Sequence, residues 1–145
     1  MKRSKIVGSI AIVVGVLVAF GVFSSPDMKT ENEKNIVFHV TLADPKNYEN
    51  GVYTDTFEIK KGTFKYGFVP NGDSPQKLTI FLKGESVDYE ENFILEGIPH
   101  ETGISTYYTW EYSGNYQLII PEDQIVEITI NPNGNLLGPV TVDIF

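Results

Sequence analysis

From residue 36 onward, apolar side chains recur at every second position, in runs of five to nine residues cut by clusters of Gly, Asn, Asp and Pro. A helix buries positions three and four apart, whereas a half-buried strand buries alternate ones, so this period restricts the segment to β-structure. Ile36, Phe38, Val40 and Leu42 share one face of the first run. Tyr53, Asp55, Phe57 and Ile59 alternate more loosely, and Phe64, Tyr66 and Phe68 form the next inward face. Leu78, Ile80 and Leu82 follow, then Val87 to Tyr89, Phe93 to Leu95, Ile104 to Tyr112, Tyr116 to Ile120, Ile125 to Ile130 and Val140 to Ile144. Asn71-Gly72, inside the run Pro70 to Pro75, predicts a tight reversal through positive φ angles. Gly97 and Pro99 are expected to break the strand that precedes them. Ser113-Gly114-Asn115 is expected to close a hairpin between the aromatic run and Tyr116 to Ile120. About eight strands with no helical period predict an all-β fold, an antiparallel β-sandwich of jelly-roll or immunoglobulin-like kind, with a small closed barrel as the alternative. Paired cysteines around a core tryptophan, the immunoglobulin hallmark, are absent.

The β-run is preceded by a different kind of sequence. Residues 1–5 carry Lys2, Arg3 and Lys5, and Ile6 to Phe23 follow as eighteen residues without a charge. As a helix they would span about 27 Å, close to the roughly 30 Å hydrocarbon core of a bilayer. Residues 6–23 are therefore expected to be a transmembrane anchor, with a cleaved signal peptide as the alternative, since Ala19-Phe20-Gly21 and Val22-Phe23-Ser24 both offer cleavage-like spacing. With basic residues before the apolar run and Asp27, Glu31 and Glu33 after it, residues 1–5 are placed in the cytoplasm and the β-domain outside, at the cell membrane or, after cleavage, secreted. Ala11, Gly15 and Ala19 fall on one helix face, where a second helix can approach closely. Residues 24–35 read as a polar linker and residues 36–145 as one extracytoplasmic domain.

Charge and residue types exclude several function classes. Beyond residue 5 the chain has eight basic and nineteen acidic residues, a net charge of −11, and no arginine. Nucleic-acid binding needs concentrated positive charge to displace counterions, so it is excluded as a partner class. The absence of cysteine removes disulfides, blue-copper ligation and thiol nucleophiles. His39 and His100 are the only histidines, no serine sits in a G-x-S-x-G elbow, and no phosphate-binding glycine loop occurs. The chain is therefore expected not to be an enzyme and to need no cofactor.

Two sets of residues remain as candidates for binding. Asp73, Asp88, Glu90 and Glu91 offer the hard oxygen ligands that calcium takes, although no D-x-[DN]-x-[DN]-G loop is present; Asn131, Asn133 and Asn135 match one in spacing only. In the aromatic run, alternation places Tyr108, Trp110 and Tyr112 on one face and Tyr107, Thr109 and Glu111 on the other. One face is expected in the core. Core packing is the expected role of most of these rings; if the Tyr107 face is exposed, or if Trp110 lies on an outer face, the aromatics would form a platform for a protein partner or a carbohydrate ring, with Tyr107, Trp110, Glu111 and Asn115 as candidates.

The segment Thr56 to Phe68, followed by Leu78 to Leu82, resembles the opening strands of two exported β-sandwich families, the GOLD domain and the pre-peptidase C-terminal domain. That resemblance implies a non-catalytic accessory module. The expected function is thus a membrane-tethered extracytoplasmic β-sandwich acting as an accessory or structural subunit that binds another cell-envelope protein. The alternative is a carbohydrate- or calcium-dependent ligand-binding module.

Overall fold

The computed structural model describes residues 34–145, of which Asn35–Phe145 make one compact unit. Residues 1–5, the expected span 6–23 with its contacts Ala11, Gly15 and Ala19, and the linker up to residue 33 lie outside the described residues. Among the described residues no helix is long and apolar enough to cross a membrane. Helical structure there is limited to a 3-10 turn, Pro45–Asn47, initiated by Asp44, whose carboxylate accepts the Lys46 N–H at 2.9 Å.

Nine strands are found among these residues: β1 Phe38–Leu42, β2 Tyr53–Ile59, β3 Gly62–Val69, β4 Lys77–Lys83, β5 Asp88–Glu101, β6 Thr106–Ser113, β7 Gln117–Ile120, β8 Gln124–Asn131 and β9 Val140–Ile144. They form two antiparallel sheets, a four-stranded one ordered β1-β9-β3-β7 and a five-stranded one ordered β2-β8-β4-β5-β6. The pairing is nested: β1 pairs with β9, β2 with β8, β3 with β7 and β4 with β5. β3 divides its length, Gly62–Lys65 lying against β7 and Tyr66–Val69 against β9.

The sheets stack in a sandwich-like arrangement because each presents the predicted alternate apolar face to the other. Leu78, Ile80 and Leu82 of β4 and Ile128 and Ile130 of β8 are fully buried, as are Val142 and Ile144 of β9. Ring contacts join the layers: Phe38 to Phe57 at 4.8 Å, Tyr66 to Phe93 at 5.5 Å and Phe68 to Phe93 at 4.8 Å between centroids. Burying one such side chain contributes about 1.5–3 kcal/mol relative to leaving it in water, and without disulfides this burial and the strand ladders hold the domain together. On the outer face of the four-stranded sheet, His39 Nδ1 meets the Asp143 carboxylate at 2.6 Å, so His39 braces β1 against β9.

Three local expectations are corrected. Asn71-Gly72 is not a positive-φ hairpin turn; the Asn-Gly pairs with positive φ are Asn50-Gly51 (54° and 85°) and Asn133-Gly134 (53° and 97°). The loop carrying Asn71 instead takes the chain from β3 in one sheet to β4 in the other, held by Ser74, whose hydroxyl donates to Pro139 O. Gly97 and Pro99 do not break the strand, because β4 has already ended where they occur: Lys77 is paired with Ile94, so the missing N–H of Pro99 faces no neighbouring strand among the described residues. Lastly, the aromatic run does not pair with Tyr116 to Ile120. It pairs with β5, and the turn after Ser113 leads across to β7 in the opposite sheet.

Candidate interaction surface

The last of these corrections creates the most distinctive surface. β5 runs fourteen residues, and its pairing with β4 stops at Ile94, while its pairing with β6 continues from Ile94 to Glu101. Beyond Leu95 the two strands form a ribbon with no third strand among the described residues, an arm about 20 Å long at roughly 3.3 Å per residue. Its tip is the turn Thr102–Ser105, fastened by the Thr102 N–H to Ser105 O (2.9 Å) and by the Ser105 N–H to Thr102 Oγ1 (3.0 Å), with Gly103 supplying a φ of 97°.

The outer part of this arm is apolar and exposed. Ile104 at the tip is 96% exposed and Tyr107 and Tyr108 are each 54% exposed, three large side chains within five residues. Other exposed apolar residues such as Val69, Ile125 and Leu137 are dispersed over different elements. The Tyr107 ring stacks on His100 across the ribbon, centroids 4.9 Å apart and 14° from parallel, and His100 Nε2 lies 2.8 Å from Thr109 Oγ1.

The base of the arm is joined to the sandwich by a row of aromatic residues on the inward face. Trp110 is half-buried; its indole lies over Gly97, the residue opposite it in β5, and reaches Gly72 in the β3–β4 loop. A Cβ at Gly97 would sit 2.8 Å from the indole, so any larger residue there must displace the ring. Tyr112 is buried and donates its hydroxyl to Pro75 O at 2.7 Å, and Tyr116 donates to the backbone oxygen of Tyr112. Burial, with smaller electrostatic contributions from Tyr48 at Tyr112 and from Glu111 at Tyr116, pushes both phenols above their ordinary range and keeps them protonated donors.

The face carrying Tyr108, Trp110 and Tyr112 therefore changes character along its length: Tyr112 is buried, Trp110 half-buried and Tyr108 exposed. The physical reason is that β6 outruns the opposite sheet. Of the candidates, Tyr107 and Glu111 share the exposed outer face, whereas Trp110 lies on the other. Asn115 lies beyond β6, where its side chain donates to Glu91 at 3.2 Å. Ile104 and Tyr108 belong to the exposed surface without having been singled out; an isoleucine beside Gly103 in a turn was the signal available for the first.

The calcium candidates are divided. Asp88 and Glu90 point to the outer face of β5 and Glu91 to the inner side, while Asp73 lies in the β3–β4 loop. Among the described residues no three of His, Cys, Asp and Glu group where they could hold a metal ion. Asn133 and Asn135 brace loops: Asn133 Nδ2 donates to Lys77 O at 2.9 Å and Asn135 Nδ2 to Asp73 O at 3.2 Å. A concavity of about 490 Å³ between Glu58, Lys60, Glu85, Asp123 and Gln124 holds the Lys60–Asp123 ion pair at 3.6 Å; the Lys61 N–H chiefly, and Lys60 beside it, lower the Asp123 pKa. Compared with protein-family models, curated proteins and solved structures, the chain matches none of them.

Proposed function

We propose that this chain is a non-enzymatic accessory module, tethered to the cell membrane by residues 6–23, whose extracytoplasmic β-domain binds another cell-envelope protein through the β5–β6 arm. The observation that carries the reading is the arm itself: a ribbon that continues beyond the end of β4 with Ile104, Tyr107 and Tyr108 exposed near its end. Exposed aromatic and aliphatic side chains concentrated on a projecting element are the composition of protein-binding anchors, whereas scattered ones carry no such meaning. We read the nested pairing, together with the transfer of successive strands between sheets from β1 to β4, as a jelly-roll with β6 added at one edge. On this reading the resemblance of Thr56 to Phe68 to the GOLD and pre-peptidase C-terminal modules spans β2, the Lys60-Lys61 link and β3.

A carbohydrate platform is the second reading, favoured by the flat Tyr107 ring on the exposed face. One side of that ring is already covered by His100, which leaves a single stacking surface. Site-specific photo-cross-linking separates the two. With a benzophenone amino acid at Ile104 or Tyr107 of the full chain in its native membrane, the proposal expects one discrete protein adduct, lost when the probe is placed at Glu58. No adduct from either arm position, with glycan-array binding that depends on Tyr107, would replace it by the carbohydrate reading.

A further inference from the structure

The hydrogen-bonding pattern of the arm specifies the form a partner takes. Leu95 gives its N–H to Gln76 O at 2.9 Å, away from β6, and Thr102 gives its N–H to Ser105 O at 2.9 Å, across the ribbon. In an antiparallel pair such positions alternate, so Ile98, His100 and Thr102 bond across the ribbon while Leu95, Gly97, Pro99 and Glu101 face outward. Their opposite residues, Tyr112, Trp110, Tyr108 and Thr106, turn their N–H and C=O groups to the other side, where β6 is the edge of the sheet. Tyr116 occupies the carbonyl of Tyr112. Thr106, Tyr108 and Trp110 thus present a row of backbone donors and acceptors to which none of the other described strands pairs.

The two edges of the ribbon are not alike. On the β5 side Pro99 removes a donor, a common way to blunt an edge against strand addition. On the β6 side the eight residues Thr106–Ser113 contain no proline, lysine or glycine, and they are rich in tyrosine, tryptophan and threonine.

Charge identifies the kind of strand. From Gly84 to Phe145 the chain has eleven acidic residues and no lysine or arginine. Glu96 and Glu111 stand directly opposite each other on the outer face, a like-charged cross-strand pair that costs stability, and neither makes an ion pair among the described residues. A cation on a third strand beside Glu111 relieves that repulsion. A second copy of this chain would bring further carboxylates instead.

Resting on the protein-binding reading above, we propose that β6 receives an added strand from a basic, extended segment of the partner protein, with lysine or arginine beside Glu111 and apolar side chains beside Tyr108 and Trp110.

The test uses the full chain in neutral detergent and its own reporter, since Trp110 is the only tryptophan. Three capped ten-residue probes are titrated: alternating lysine and valine, the same with glutamate for lysine, and the lysine–valine peptide methylated at every backbone nitrogen. The lysine–valine peptide is expected to change Trp110 emission saturably, and the glutamate and methylated peptides to bind about tenfold or more weakly, because each loses the charge match or the interstrand donors. Tyr108→Pro removes an outward donor without touching the bonds to β5 and is expected to weaken binding about tenfold, while Tyr108→Ala stays within about threefold. If Tyr108→Pro does not fold, the methylated peptide on the unaltered chain decides. Equal binding of the methylated peptide, or absence of lysine–valine binding, overturns the proposal, as does a dimer that Tyr108→Pro or Tyr108→Ala dissolves. Absent peptide binding with a retained arm cross-link leaves the protein-binding reading intact and removes strand addition alone; loss of the cross-link as well removes both.

Discussion

Replacing Gly97 by alanine tests whether the indole of Trp110 anchors the arm. The new methyl would lie 2.8 Å from Trp110 Cζ3 and 2.9 Å from Cη2, against about 3.5–4.0 Å for relaxed carbon contacts. The ring must therefore retreat by about 0.7 Å or more. Its opposite edge, Nε1, Cε2 and Cζ2, faces Gly72, where a Cβ would stand 3.2 Å away, so the ring's retreat is toward the space that glycine leaves open there. Overpacking of this kind costs about 1–3 kcal/mol. In the other direction, glycine in a strand interior is worse than alanine by about 0.5–1 kcal/mol, through the greater freedom of the unfolded chain. The net expectation is a loss of about 1 kcal/mol, or roughly 4–8 °C in Tm for a domain of this size, with Trp110 emission shifted to the red as the ring becomes wetter. Thermal unfolding followed by circular dichroism and by tryptophan emission measures both. In a Trp110→Leu background the clash disappears, so the same alanine becomes neutral or stabilising and the pair shows a coupling of about 1–2 kcal/mol. A higher Tm with unchanged emission in the single variant, or an identical effect in both backgrounds, refutes the anchoring argument.

Phe93 is fully buried, with the rings of Tyr66, Phe68 and Tyr116 within 5.5, 4.8 and 5.5 Å; Phe93→Ala is expected to cost about 3–5 kcal/mol in urea unfolding, and a cost under about 1 kcal/mol would mean the sheets do not meet there. Alkaline pH is expected to unfold the domain, since burial holds the phenols of Tyr66 and Tyr112 above their ordinary range and, with a hydrogen bond to Asp55, raises Tyr53 to about 12. These groups keep their protons in the folded state after the unfolded chain releases its own, so their contribution is complete below about pH 10 and is lost as pH rises through the folded values. Tyrosinate absorbance from these residues should then appear together with loss of the β-sheet dichroism; ionisation of all eight tyrosines near pH 10 with unchanged dichroism would contradict it.

The core was legible because its information is local. Leu78, Ile80 and Leu82, or Phe64, Tyr66 and Phe68, identify their buried face by alternation alone, and the structure buries or half-buries all six. Sheet membership was not legible in the same way, because it depends on which strand ends first. Pro99 looks like a terminator until β4 is seen to stop at Lys77, and Ser113-Gly114-Asn115 reads equally well as a hairpin or as a passage between sheets. The candidate surface was found in part for the same reason. Tyr107 and Glu111 follow from alternation, whereas the exposure of Tyr108 follows from the arm outrunning its opposite sheet, which no period in the sequence encodes.

Preorganisation connects the arm's stability to its proposed use. A two-stranded ribbon is marginal in water, and this one is held by its tip hydrogen bonds, by Trp110 over Gly97 and by the Tyr112 hydroxyl on Pro75. An added strand would give β6 the second neighbour that it lacks among the described residues, so binding must order whatever part of the arm is not already ordered. Two variants then separate positioning from contact. Gly97→Ala leaves every outward donor of β6 in place but loosens the anchor, so it should lower Tm and weaken the lysine–valine peptide together. Tyr108→Pro leaves the anchor but removes a donor, so it should weaken the peptide with a much smaller change in Tm. Were Gly97→Ala to lower Tm while leaving peptide affinity unchanged, the strand would be binding somewhere other than beside Trp110.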